Sequence, residues 1–243
     1  MYSLLRKEIS VFFNGATGYL VVVVFLIINS LFIWIFDGEY NILDGGYSSL
    51  DSLFILAPWI FLFLVPAVTM RLFAEEKRTG TIELLFTRPL TDLQIILAKY
   101  LSGLVLVLMS LLPTLIYFAT IYLLGNPVGN IDTGGTWGSY IGLFFLAAIY
   151  VSVGVFTSAI TTNQIIAFIT GMLVCFILYT GFDSLSGVSA LQSIDGIIVN
   201  LGINEHYRSM SRGVIDSRDV LYFIGVIAFF ILLTRTVLQS RKW

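Results

Sequence analysis

Charge is what this chain has least of. Only 12% of its 243 residues are charged and 58% are hydrophobic, whereas a soluble domain averages about 25% charged residues. A chain so depleted reads as an integral membrane protein. Its formal net charge of -2 offers no basic surface for nucleic acid. The single cysteine, Cys175, lies in an apolar run. One cysteine excludes an intrachain disulfide framework and a cysteine-based metal site, and Cys175 reads as a small packing residue. The lone histidine, His206, cannot build a histidine-rich metal centre and fits a surface or interface role.

Other absences narrow the chemistry. No Gly-rich loop ends in Lys-Ser or Lys-Thr, so the chain has no phosphate-cradling loop for ATP. No nucleophile stands with a base, and no deep acid pair is present. None of the apolar runs carries an ionisable residue near its middle, since Arg71, Asp183 and Arg235 fall toward run ends. Ion-coupled transporters and proton pumps need charge at depth. Neither bound ATP nor an ion gradient is therefore available to this chain alone, and energy for any transport must enter from another subunit.

Six apolar runs are present, with expected spans at 19–36, 53–72, 93–124, 137–160, 165–182 and 220–238, in one membrane domain over 1–243. Met1–Asn14 precedes them as a short amphipathic lead. The first run is too long for a signal-peptide core, and Asp37-Gly38-Glu39 offers no small-residue cleavage site. Pro58, Pro66 and Pro113 should bend the second and third spans. On the fourth span Gly142, Ala147, Ala148, Ser152 and Gly154 form a candidate helix-packing face. Six spans put both termini on one side. Of the 13 basic residues, ten (Arg6, Lys7, Arg71, Lys77, Arg78, Arg88, Lys99, Arg235, Arg241 and Lys242) fall there, and only Arg208, Arg212 and Arg218 fall on the other. The positive-inside rule makes the first side cytoplasmic.

The charged island at 75–99 organises the rest. It carries Glu75, Glu76, Lys77, Arg78, Glu83, Arg88, Asp92 and Lys99 between long apolar runs, and such an island is expected to stand in water. Gly80 supplies a flexible joint. Thr81–Thr87 is a short amphipathic piece suited to a membrane face or a partner. Arg88-Pro89 stops it. Thr91 and Gln94 have capping-box spacing, with Leu90 and Ile95 as the accompanying staple. The longest non-spanning segment, 183–219, mixes apolar residues with Asp195, Glu205, His206, Arg208, Arg212, Asp216 and Arg218. It reads as short interfacial helices that serve as an external gate, a partner-holding segment or a plain cover.

The motif Glu75-Glu76-x-Arg78-x-Gly80-Thr81-x-Glu83-x-Leu85, followed by Arg88-Pro89 and Ile96-x-x-Lys99, resembles the connection between spans two and three in type-2 ABC exporter permeases. The resemblance implies an all-α membrane fold with a cytoplasmic coupling helix between those spans and short external helices between spans five and six. It also implies an ATPase-coupling role for Glu75, Glu76, Arg78, Gly80, Thr81, Glu83 and Arg88. Its partners would be a nucleotide-binding ATPase subunit that holds ATP and Mg, a second permease, either identical or related, and a periplasmic protein. This chain itself would bind no cofactor and catalyse no reaction. The wording of 202–219, with Arg212-Gly213-Val214-Ile215-Asp216, is similar to the permease subunit of the gliding-motility ABC transporter of Bacteroidetes. Permeases of copper-enzyme maturation systems are related, and a non-transporting scaffold for a periplasmic complex is the other reading.

Overall fold

The computed structural model describes residues 1–87, 89–186, 195–213 and 215–240. Arg88 and the side chain of Asp195 lie outside the described residues. Among the described residues every regular element is helical. The order is α1 (Tyr2–Asn14), α2 (Ala16–Ser30, running into a π-turn at Leu31–Ile35), α3 (Ile42–Gly45), α4 (Asp51–Thr69), α5 (Arg71–Arg78) and α6 (Ile82–Phe86). Then come α7 (Asp92–Leu111), α8 (Leu115–Leu124), α9 (Thr133–Ile160), α10 (Gln164–Phe176, running into a π-turn at Ile177–Gly181) and α11 (Phe182–Ser186). The chain finishes with α12 (Asp195–Leu201), α13 (Ile203–Ser211) and α14 (Ser217–Gln239).

Six helices among the described residues are long and apolar enough to cross a membrane: Ala16–Ile35, Asp51–Arg78, Asp92–Leu124, Thr133–Ile160, Gln164–Ser186 and Ser217–Gln239. Each expected span falls on one of them. Helices satisfy their own backbone groups, which is what a hydrocarbon medium requires. α9 is the axis of the bundle. It is buried along most of its length, and α4, α5, α7, α10, α13 and α14 all pack on it.

Lipid tails are as apolar as leucine, so helices in a bilayer associate through close packing rather than through the hydrophobic effect. Gly154 shows how close. A Cβ placed there would lie 1.9 Å from Thr69 Oγ1 of α4. Toward the other end of α9, Gly142 faces Tyr207 and Met210 of α13. These two members of the small-residue set make helix-to-helix contact.

The prolines act in different ways. Pro58 and Pro66 lie inside α4, which ends at Thr69 where the Thr69 hydroxyl donates back to the Val65 carbonyl at 2.9 Å. Such back-bonding bends helices. Met70 marks the break, yet it keeps helical geometry (φ −52, ψ −28), so α5 continues the same spanning segment. Pro113 sits in a 3-10 turn, Leu112–Thr114, that separates α7 from α8.

Two features depart from expectation. The amphipathic lead is a helix packed on α7 and α2, with Leu4, Glu8 and Phe12 buried. The island does not stand wholly in water either. Ile95, Ile96 and Ala98 are buried and Lys99 is 1% exposed, because α1 covers the first turns of α7.

Candidate functional site

The island end of the bundle collects the chemistry. α5 enters it through its first turn, whose backbone N–H groups have no partner within the helix. Ser158 of α9 supplies one. Its Oγ accepts from the Phe73 and Ala74 N–H groups at 2.9 and 3.0 Å and donates to the Met70 carbonyl at 2.8 Å. One turn on, Lys77 Nζ donates to the Ala159 carbonyl near the C-terminus of α9, where a cation also meets the negative end of the helix dipole. α5 is thus fixed to α9 at both of its ends.

Its opposite side is held by charge. Lys99, two turns into α7, places Nζ 2.9 Å from Glu76 Oε2 and 3.3 Å from Glu8 Oε1. The contact with Glu76 Oε2 lacks hydrogen-bond alignment, so it is Coulombic. Lys7 Nζ closes the cluster, 3.4 Å from Glu76 Oε1 and 3.3 Å from Glu8 Oε1. The Phe73 ring lies 5.1 Å from Lys99 Nζ, within cation–π range. Two lysines and two glutamates balance, which is the condition for burying them at all. Burial pushes the Lys7 pKa down, but the Glu8 and Glu76 carboxylates outweigh it and hold the ammonium above its ordinary 10.5.

The remaining island residues form the tip. Gly80 follows the C-cap Thr79 with φ +73, a left-handed stop to α5 rather than a flexible joint. The Thr79 and Thr81 hydroxyls lie 3.0 Å apart, and Thr79 Oγ1 donates to the Glu75 carbonyl at 2.9 Å. Glu75 itself makes a loose contact with Arg71, 3.8 Å away and solvent-exposed. Arg78, Glu83 and Leu84 are exposed, Leu84 by 66%. A groove of about 330 Å³ runs between α1 and α6, lined by Ser3, Leu4, Lys7, Thr81, Leu84 and Leu85. Beyond it, Thr91 and Gln94 form the expected capping box at the start of α7, at 3.3 and 3.1 Å.

Sequence reasoning placed Lys99 in the island but gave it no partner, and it missed Glu8, Lys7 and Ser158 as partners of this region. Lys99 alone carried a signal, as the one basic residue beyond the capped start of an apolar helix. The Glu8–Lys99 pairing joins residues 91 apart, which no local pattern reveals.

At the far end the expected residues do not form one site. His206 is wedged between α12 and α14, with Nδ1 2.7 Å from Asp219 Oδ1, Nε2 2.9 Å from the Asn200 carbonyl and its ring stacked on Tyr222 at 3.8 Å. Both ring nitrogens thus have a partner, one on each flanking helix. Asp216 is the N-cap of α14, accepting from the Arg218 N–H at 2.9 Å. Arg212 is the exposed C-cap of α13. Arg208 lines a cleft of about 660 Å³ with Asp51, Trp59, Tyr179, Asp183 and Asn204. Tyr207, buried beneath, donates to the Phe54 carbonyl at 2.7 Å, and burial pushes its phenol well up.

A sequence model described as ABC-2 family transporter protein matches residues 46–235, from the turn after α3 through most of α14. No curated protein matches the chain. The matched stretch takes in α5, Gly80 and α6, which together form an elbow between spans two and three, and also the capped start of α7, the axial helix α9 and α11 to α13. The chain is a multi-pass membrane protein and belongs to the ABC-2 family of transporters.

Proposed function

We propose that this permease couples ATP hydrolysis on a separate nucleotide-binding subunit to export or mechanical work across the inner membrane, with α6 as the coupling helix. One observation supports it above the others. The elbow is fixed to α9 through Ser158 and Lys77 and to α7 through Glu76, yet it leaves Arg78, Glu83 and Leu84 exposed at its tip. A solvated loop needs no such anchoring. A surface that receives force does, because a push on a flexible segment is dissipated before it reaches the spans. Helices packed at an interface rearrange between discrete states, and the elbow abuts two of the spans, α7 and α9.

On this reading the termini and the elbow are cytoplasmic, and the permease works as a dimer with itself or a related chain, since oligomers are usually symmetric. The wording of 202–219 favours service in gliding motility. Arg208 and the far-end cleft then face the periplasm, where cargo or a periplasmic partner would meet them.

The test is recovery of the tagged permease in mild detergent, with co-purifying ATP hydrolysis measured. Arg78→Glu or Glu83→Arg is expected to abolish recovery of the ATPase while membrane insertion persists. Full recovery and turnover with both variants would reject the elbow as the docking surface. A cell in which a catalytically dead ATPase leaves activity intact would favour a non-transporting anchor.

A further inference from the structure

The docking surface, on the coupling reading, ends at the elbow, but the ion cluster does not. Lys99 stands between two carboxylates from different elements, Glu76 of α5 at 2.9 Å and Glu8 of α1 at 3.3 Å, and it is 1% exposed. A buried ion pair is a poor device for stability alone, because well-packed apolar residues of the same volume hold helices as firmly. It differs from apolar packing in direction. Each ammonium must stay within about 4 Å of its carboxylates, and stranding one in a buried site is strongly unfavourable. Three helices so linked shift together or not at all.

The position of α1 gives that constraint a consequence. α1 forms one wall of the groove whose other wall is α6. Its outer side carries Tyr2 and Val11, exposed by 78% and 58%, as suits a helix lying at a membrane surface. Its inner side carries Glu8 and Phe12, both buried. α1 also leads through Gly15 into α2, the first span. The Glu8–Lys99–Glu76 bridge is therefore a direct path from the elbow to the first span, separate from the Ser158 and Lys77 path to α9.

We infer that Lys99 is a positioning residue that makes α1 a moving part of the coupling device. Lys99 holds α1 and the elbow as one body, so displacement of the elbow reaches the first span through α1. The inference rests on the coupling reading and extends it to a helix outside the island.

The experiment uses the full permease with its co-purified ATPase and spin labels at Arg6 of α1 and Thr79 of the elbow, with Cys175 replaced by Ala. In the unaltered cluster the Arg6–Thr79 distance distribution is expected to be narrow and unchanged on trapping with ATP and vanadate. Glu8→Gln, which removes the link from Lys99 to α1 and leaves only the half-exposed Lys7–Glu76 contact between α1 and the elbow, is expected to leave ATPase recovery intact. It should broaden the distribution, make it nucleotide-dependent, and lower ATP turnover about fivefold or more, the low end of ordinary coupling effects. Lys99→Met should broaden it further, and Lys99→Arg should restore both the narrow distance and turnover. A purely structural role predicts no nucleotide dependence in any variant. Glu8→Gln with an unaltered distance distribution and turnover overturns the inference while the coupling reading stands. Failure to recover an ATPase with the unaltered permease overturns the coupling reading and this inference with it.

Discussion

Ser158 is a single hydroxyl that completes three backbone groups of another helix. Its Oγ takes the Phe73 and Ala74 N–H groups and returns its own proton to the Met70 carbonyl. In Ser158→Ala those groups stay buried and lose their partner, at about 1–3 kcal/mol for an unsatisfied buried group. The change in volume is one oxygen, so the loss is one of hydrogen bonding rather than packing. The expected outcome is a lower thermal midpoint in detergent and faster hydrogen exchange at Phe73 and Ala74, with exchange in the middle of α9 unaltered. Equal protection in both proteins would show that α5 satisfies its first turn without α9. This residue had no signature in sequence, where a serine near the end of an apolar helix has many uses. Gly154 and Thr69 were equally silent as a pair, because their contact depends on how α4 crosses α9. Burial of Lys99 was misread for the same reason: α1, 91 residues away at Glu8, turns the edge of the island into an interior.

At the scale of elements, what was legible is what is local. The capping box at Thr91 and Gln94 spans four residues and is present with both of its bonds. The composition of the apolar runs places each span, since about 20 apolar residues cross a bilayer as a helix whatever their neighbours are. Pro113 marks the break between α7 and α8, although a 3-10 turn takes the place of a simple bend. Gly80 was recognised as the joint of the elbow but not as a stop with φ +73. The caps can be tested as parts of one element. Thr91→Ala removes the side-chain acceptor for the Gln94 N–H and should cost about 1 kcal/mol, the usual size for a lost N-cap. Its effect should appear as faster exchange confined to the first turn of α7, with Lys99 and its partners still protected two turns further on. Loss of protection reaching Lys99 would mean that the cap, rather than the ion cluster, holds the start of α7.

For the whole molecule, the question is which end faces the nucleotide. The two ends differ in kind. One carries α1, the elbow and the α9–α10 turn at Thr161–Asn163, bound together by the Lys99 cluster, Ser158 and Lys77. The other carries α3, α11 to α13 and the far-end cleft, which α4, α9, α11 and α13 help to line. Basic residues crowd the first end, and positive charge is retained on the cytoplasmic side. Cys175 is the chain's only cysteine and is buried, so substituted cysteines can report sidedness with little background. In right-side-out membrane vesicles, a membrane-impermeant maleimide should label Gly46→Cys and Arg212→Cys directly. Thr79→Cys and Asn163→Cys should react only after the vesicles are opened. All four positions are exposed or lie in turns, so a failure to label reflects the side rather than burial. The reverse pattern would put the elbow outside, where no nucleotide-binding subunit can reach it. Both the coupling reading and the transmission through Lys99 would then fail together, whatever the local geometry of the cluster.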